Sequence, residues 1–264
     1  MTQSTEAKTV TFTHSGHTAV VTLNRPEQLN CFNYTMLTEL EEAVAAIRFD
    51  DQIRSVVFTG AGEKAFSAGA DLKERRTLTE GEVRRNVRKI REVFDAVESL
   101  PQPTIAAVNG HALGGGFELM LACDLRLAVP DAWMGLTEVS WAIIPGAGGT
   151  QRLPRLIGMT KAKELILTAR RFQADEADAL GLLNRVSTKA SLLEDAQAIA
   201  DAIGANGPLA VRQAKMAIHH GAQTDLHTGQ AIEAGAYERI IPTEDRLEAL
   251  EAFREKRPAR FQGR

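Results

Sequence analysis

The stretch "NGHALGGGFELMLACD", residues 109–124, sets Gly114, Gly115 and Gly116 directly before an apolar run that holds one carboxylate, Glu118. Glycine costs about 0.5–1 kcal/mol relative to alanine inside a helix, so three in succession at a helix start need a reason. A phosphate loop, a tight packing turn and a backbone site for some other ligand are the candidates. A phosphate loop needs Gly-x-x-x-x-Gly followed by Lys and Ser or Thr. Gly110 and Gly115 have that span, but Gly116 and Phe117 stand where Lys and Ser or Thr belong. A dinucleotide fingerprint on Gly114 and Gly116 needs a third glycine where Leu119 stands. Both nucleotide readings fail.

What remains is a strand over 104–108, a glycine turn, and an apolar helix over about 116–123. The first N–H groups of such a helix lack internal partners and point at whatever lies above the turn. Without Cβ atoms in the way a carbonyl oxygen can approach them, and Glu118 follows within a few residues. Backbone donors beside a carboxylate suit a site where negative charge develops on an oxygen while a proton moves nearby. The same residues also suit a packing turn, with Glu118 favoured by the helix dipole. Two more stretches bear on the choice. "KAFSAGADLKE", 64–74, is a second small-residue loop after a strand, able to offer another N–H. "MGLTEVSWAIIPGAGGTQRLP", 134–154, carries Glu138 and then a second glycine turn, Gly146–Gly149. Glu118 and Glu138 are thus acids embedded in apolar, glycine-flanked segments, where burial without a role is costly.

The 264 residues, 44% hydrophobic and 25% charged, suit one large globular domain or a domain with a helical appendage. A net charge of −3 argues against a general polyanion-binding surface. The basic run "RRNVRKIR", 84–91, alternates with Val87 and Ile90 and reads as a solvated helix face. Cys31 and Cys123 lie far apart without metal-ligand spacing, so a reducing compartment and no disulfide framework are expected. "MTQSTEAKTV" lacks the apolar core of a signal peptide and the arginines of a transit peptide. No apolar run reaches the roughly 20 residues of a membrane span. A cytoplasmic protein without a membrane partner is expected.

"TVTFTHSGHTAVVTLNRP", 9–26, reads as two strands around Ser15–Gly16. A helix follows over 34–48, a strand over 53–60, and a helix over 80–99 with Val83, Val87, Ile90, Phe94 and Val97 on one stripe. Strands alternate with helices to about residue 190, the pattern of an α/β domain whose ligand sites lie at the carboxyl ends of strands. After Leu192 only helical runs follow, and a terminal helical segment of this kind often packs on a neighbour. An oligomer is expected. His14, His17, His219 and His220 have no metal-ligand constellation, and Ser67 and Ser140 no His/Asp partnership.

The blocks "AFSAGADLKE", "NGHALGGGFELMLACD" and "IIPGAGGTQRLPR" stand in the order and spacing of the crotonase, or enoyl-CoA hydratase/isomerase, superfamily. The chain resembles that family from about Thr9 to the C-terminal "FREKRPARFQG". The resemblance implies an α/β fold: a crotonase-like spiral of ββα units over 1–195, then an all-helical trimerisation region over 196–264. It implies assembly as a homotrimer or a dimer of trimers. It puts two oxyanion-hole donors on the N–H groups of Ala70 and Gly115, and the two hydratase glutamates on Glu118 and Glu138, 20 residues apart. Substrate contacts fall on Ala68, Asp71, Leu72 and Lys73, and on Gly146, whose amide helps position water. Tyr237 and Lys256 match positions that reach a neighbouring subunit's acyl pocket and CoA. The implied substrate is an acyl-CoA thioester, with no metal, no nucleic acid, and no cofactor beyond the coenzyme A that the substrate carries.

Hydrating a 2-enoyl thioester puts water on C3 and a proton on C2 while charge passes through the thioester oxygen. Two carboxylates flanking one water can share these proton transfers. Relatives that only shift a double bond commonly lack a glutamate at the position of Glu118. Its presence favours a hydratase over a Δ3,Δ2-enoyl-CoA isomerase of the same fold. A non-catalytic acyl-CoA- or RNA-binding protein is the reading from a different class. "AGADLKER", "AIIPGAGGTQRLPRLIGMTKAKELI" and "IPTEDRLEALEAFREKRPARFQG" resemble most the methylglutaconyl-CoA hydratase branch, some of whose members bind AU-rich RNA through a Lys-rich early helix. Here the matching stretch, "NYTMLTELEEAVAAIRFDDQIR", has no lysine and five acids, so that role does not transfer. An acyl chain ending in a carboxylate would want a cation, for which Lys73, Arg75 and Arg76 are candidates; solvated residues at a helix start are the other reading. Trp141 stands where leucine is more usual, and Ala142 where glycine is usual, so the pocket beside Glu138 should differ in bulk.

Overall fold

Alternating β-branched residues at the start of the chain form a hairpin, β1 (Val10–Ser15) against β2 (Thr18–Leu23), antiparallel with Thr13 opposite Val20. The structure, a computed structural model, describes residues 8–264; most of the N-terminal segment read above for targeting signals, over 1–7, lies outside the described residues. Helix α1 (Tyr34–Arg48) begins where the Asn33 side chain accepts from the Met36 N–H, and it buries Leu37, Leu40, Val44 and Ile47 as their spacing predicts. The chain continues through β3 (Ser55–Gly60), β4 (Ala65–Ser67), α2 (Leu72–Arg75) and α3 (Glu80–Glu98), the last started by a Thr79–Glu82 capping box. β5 (Thr104–Val108), β6 (His111–Leu113), α4 (Gly115–Ala122), β7 (Leu125–Ala128) and β8 (Met134–Gly135) follow.

Two sheets result. The larger has the order β1-β2-β3-β5-β7, closed at its far edge by β9 (Arg185–Val186), and every pairing after the hairpin is parallel. The smaller is β4-β6-β8, also parallel. Each turn of the chain gives one long strand to the first sheet, one short strand to the second, and then a helix. This is the expected spiral of ββα units. The short strands escape a periodicity reading because two or three residues show no alternation. They change where the ligand ends lie: the carboxyl ends of the small sheet, not of the large one, carry the site.

Asn30 ties this arrangement together from a buried position. Its side chain accepts from the Arg25 N–H (2.9 Å) and donates to the carbonyls of Ala61 (2.9 Å) and Ala65 (2.8 Å). Its φ of 54° is one that asparagine tolerates better than most residues. Asn30→Ala should cost about 2–4 kcal/mol by leaving one buried and two partly buried polar groups unpaired, visible as a lower urea midpoint at unchanged m-value.

Helices α5 (Gly149–Ile157), α6 (Met159–Leu167) and α7 (Ala174–Ala179) precede β9, and α8 (Leu192–Gly204), α9 (Pro208–Gly221), α10 (Leu226–Glu238) and α11 (Glu244–Glu255) follow it. The division expected at 195/196 falls inside α8. That helix lies on β2, β3, β5 and β7 and buries Leu192, Ala196 and Ala200 in the main core. The helices that stand off the core begin with α9. Among the described residues no helix is long and apolar enough to cross a membrane.

Candidate active site

The ends of β4, β6 and β8 lie side by side and each releases one part of the site. After β4 comes Ala70, after β6 Gly115, and after β8 Glu138. The three glycines of the opening stretch serve this junction in different ways. Gly114 has φ 52° and ψ −124°, a conformation that strains any side chain, and it turns β6 into α4. Gly115 starts the helix, so its N–H has no intrahelical partner. Gly116 is a close approach: a Cβ there would stand 2.0 Å from the Ser67 carbonyl oxygen. The β4 loop and the α4 start are therefore in contact, and a Cβ on Gly69 would lie 3.0 Å from the Gly115 nitrogen. Neither the Ala70 nor the Gly115 N–H finds an acceptor among the described residues.

Glu118 sits in the first turn of α4, 3% exposed. Its Oε1 accepts from the N–H groups of Ala147 and Gly149, both at 2.8 Å, and its Oε2 accepts from none. Glu138 opens a 3-10 turn, Glu138–Trp141, and its Oε2 is buried without a partner. A Cβ on Gly114 would lie 3.2 Å from Glu138 Oε1, so this carboxylate overhangs the donor loop. Burial first, and the Glu118 charge second, push Glu138 up to about 7. Burial raises Glu118 too, opposed by its two N–H donors and by the charges of Arg152 and Arg91. Of the pair, Glu118 has groups that favour its anion and Glu138 has almost none. The surroundings thus favour a charged Glu118 more than a charged Glu138, in a titration that belongs to both.

Both acids border a cleft of about 980 Å³. Val87 and Ile90 of α3 line it, so the N-terminal half of the predicted stripe faces the cleft while Phe94 and Val97 enter the core. Trp141 and Ile144, 63% and 71% exposed, form an apolar rim. Ala142 between them has φ 57° and ψ 30°, a left-handed conformation in which glycine is the unstrained choice.

Of the substrate contacts expected from sequence, Ala68, Leu72 and Gly146 line the cleft. The Gly146 N–H has no acceptor among the described residues, and its carbonyl accepts from Arg91 Nε at 3.2 Å. Asp71 does not face the cleft. Its carboxylate caps α2, accepting from the Lys73 and Glu74 N–H groups, and pairs with Arg25 at 2.9 Å. Lys73 is exposed outside the cleft, and of the three candidate cations only Arg75 lines it. Tyr237, 67% exposed on α10, and Lys256, just past α11, do not border the cleft of their own chain. The basic run 84–91 is only partly a solvated face: Lys89 pairs with Glu41, Arg85 stacks 4.3 Å over Tyr34, and Arg91 turns to the cleft.

Sequence reasoning missed the Ala147 and Gly149 donors, and it missed Arg152 behind them. No local signal could have found Arg152: it is one of two arginines in α5, with Arg155, and only its partners on α3 set it apart. Among the described residues no group of three His, Cys, Asp or Glu side chains is placed to hold a metal ion.

Two sheets wound from ββα units, with facing acids and free backbone donors at the small sheet's tips, define a crotonase-type enzyme fold. The sequence profile of the enoyl-CoA hydratase/isomerase family matches residues 13–264. The crystal structure of an enoyl-CoA hydratase from Bacillus anthracis superposes with a TM-score of 0.95 at 52% identity, covering 97% of this chain and all of that one. The short-chain-enoyl-CoA hydratase of Clostridium acetobutylicum is 44% identical over 252 residues, 96% of this chain and 97% of its own. Human mitochondrial methylglutaconyl-CoA hydratase is 47% identical over 248 residues, 92% of this chain and 73% of its own. The chain belongs to the enoyl-CoA hydratase/isomerase family, the crotonase superfamily.

Proposed function

We propose that the protein hydrates the 2,3 double bond of an enoyl-CoA thioester. The observation that carries this reading is the pairing of a pinned carboxylate, Glu118, with a poorly solvated acid, Glu138, at one end of a cleft. Glu118 takes a proton from water as its oxygen bonds to C3, and Glu138 gives a proton to C2. The electron pair of the double bond passes through the thioester oxygen, which receives the Ala70 and Gly115 N–H groups. One such donor is worth about 3–4 kcal/mol where it has been removed from other enzymes. Substrate and water account for every atom of the product, and no oxidant or reductant is consumed; the proposed proton transfers are made by the two glutamates, with coenzyme A present only as part of the substrate.

Ala68, Leu72 and Gly146 border the substrate in this reading, whereas Asp71 and Lys73 act through the fold alone. Arg75 and the similarity to methylglutaconyl-CoA hydratase support a branched, carboxylated acyl group such as 3-methylglutaconyl. Exposed Ile218, Leu226, Leu247, Leu250 and Phe253 on α9–α11 are the surface that a homotrimer or a dimer of trimers would cover, bringing Tyr237 and Lys256 towards a neighbour's cleft. Two free cysteines fit a reducing, cytoplasmic setting.

The test follows loss of the conjugated thioester absorbance with crotonyl-CoA, a longer straight-chain enoyl-CoA and 3-methylglutaconyl-CoA. Turnover of at least one is expected, and the ranking identifies the acyl class. A shifted double bond without solvent oxygen in the product would mark an isomerase. No turnover by folded protein, with salt-dependent RNA affinity, would mark a binding protein instead.

A further inference from the structure

The turn that holds Glu118 is itself held, by a group with no place in the chemistry above. Arg152 of α5 lies beneath residues 147–149, where its Nη1 donates to the Ala147 carbonyl at 2.7 Å. A Cβ on Gly148 would stand 2.1 Å from that same nitrogen, so the guanidinium is packed directly under the turn. Its Nη2 reaches across to α3, donating to Asp95 Oδ1 at 2.7 Å and Glu98 Oε2 at 2.6 Å. Arg91 stands on the same face of α3, one turn before Asp95, and its Nε donates to the Gly146 carbonyl. Residues 146 and 147 are thus latched by their carbonyls to α3, while the N–H groups of 147 and 149 point the other way, onto Glu118 Oε1.

We propose that Arg152, clamped by Asp95 and Glu98, is a positioning residue that fixes the Ala147–Gly149 turn so that Glu118 Oε1 is pinned and Oε2 alone faces the reacting water. The inference rests on the hydratase reading for what the free oxygen does, and on geometry alone for how it is freed. Arg152 borders the cleft with Asp95 and Glu98, but none of the bonds made or broken in the hydration falls to it. It acts through two peptide groups, and its positive charge favours the Glu118 anion. The other charged groups facing Glu118 are Arg91 from α3 and Glu138 from the 3-10 turn, with Asp95 and Glu98 behind Arg152. β4 and β6, on the far side of α4, bring only His111, whose ring accepts from the Trp133 N–H.

Arg152→Gln removes both the latch and the charge. It should lower kcat by about 10²-fold, the scale of a misplaced reacting group, with KM within a few-fold of wild type. The acidic limb of the kcat–pH profile should move to higher pH, because the Glu118 anion loses the cation that favours it most. Arg152→Lys keeps the charge, so the limb should return towards its original position while kcat recovers only in part. An Asp95→Asn/Glu98→Gln double variant leaves Arg152 charged but unanchored, and should lower kcat several-fold without moving the limb upward. Arg126→Gln is the control: Arg126 is also buried, holding the carbonyls of Leu182 and Cys123 away from the cleft, and its loss should reduce stability with no shift of the limb. A carboxyl-labelled NMR titration, with the Glu118 resonance assigned from Glu118→Gln, reads the same upward shift in Arg152→Gln without turnover. Should Arg152→Gln fail to fold, the double variant decides. Folded variants with wild-type kcat, limb and Glu118 titration would overturn the proposal, as would rate losses that simply track stability. If the wild type turned over no enoyl-CoA the hydratase reading would fall, and the carboxyl titration would still decide whether Arg152 governs Glu118.

Discussion

Glu138→Gln is expected to lose nearly all turnover and, at alkaline pH, to be more stable than the wild type. The first effect is the loss of a positioned general acid, typically about 10²–10⁴-fold. The second follows from the state in which Glu138 is held. Its folded value of about 7 lies above its ordinary value of 4.5, so the folded protein keeps a proton that the unfolded chain releases in that interval. The contribution of Glu138 to wild-type stability is therefore complete below pH 4.5 and is lost as pH rises through 7, by up to about 3 kcal/mol at pH 8. A glutamine never ionises and escapes that loss. Melting temperatures of the two proteins should be close at pH 4.5, and at pH 8 the variant should melt about 5–10 °C higher. Parallel pH dependences would mean that Glu138 is solvated and that the acid–base assignment is wrong. Glu118→Gln should also lose turnover, yet its Oε1 still accepts the two N–H groups and the fold should be unaffected.

Gly116→Ala should have the largest effect on stability. The added methyl would stand 2.0 Å from the Ser67 carbonyl oxygen and 2.7 Å from its carbon, both backbone atoms that no rotamer change can move. Relief requires α4 to shift away from β4, at a cost of about 3 kcal/mol or more, and the shift separates the Ala70 and Gly115 N–H groups that the proposed function uses as oxyanion donors. Folding midpoint and turnover should fall together. Gly81→Ala is the contrast: it lies near the start of α3 with open space around it, and should be neutral or stabilising by up to about 1 kcal/mol. A Gly116→Ala protein with wild-type melting and rate would show that the close approach is not obligatory.

The long elements were legible. The helix expected over 34–48 is α1 residue for residue, and that over 80–99 ends one residue early, because both carry an amphipathic stripe between caps. The small sheet was not legible, since β6 and β8 are three and two residues long and exist only through pairing across 20 residues or more of chain. The glycine-flanked acids announced themselves, because a carboxylate in an apolar segment is conspicuous in any sequence. Arg152 did not: its partners Asp95 and Glu98 are 57 and 54 residues away, and nothing local distinguishes it from an exposed helix arginine. Asp71 misled for the opposite reason. It lies inside the motif block, but its position before Leu72 makes it a helix cap.

The three tips of the small sheet also divide labour in a way that bears on how such a scaffold diversifies. Two tips supply main-chain donors, which any residue of suitable conformation can provide, and the third supplies a side chain on a 3-10 turn outside both sheets. In the proposed hydration, enolate stabilisation is carried by the backbone and proton delivery by replaceable side chains. Swapping the acid at the third tip redirects the proton while leaving the stabilised intermediate intact. One chassis can in this way serve reactions that share an enolate and differ only in what happens to it next.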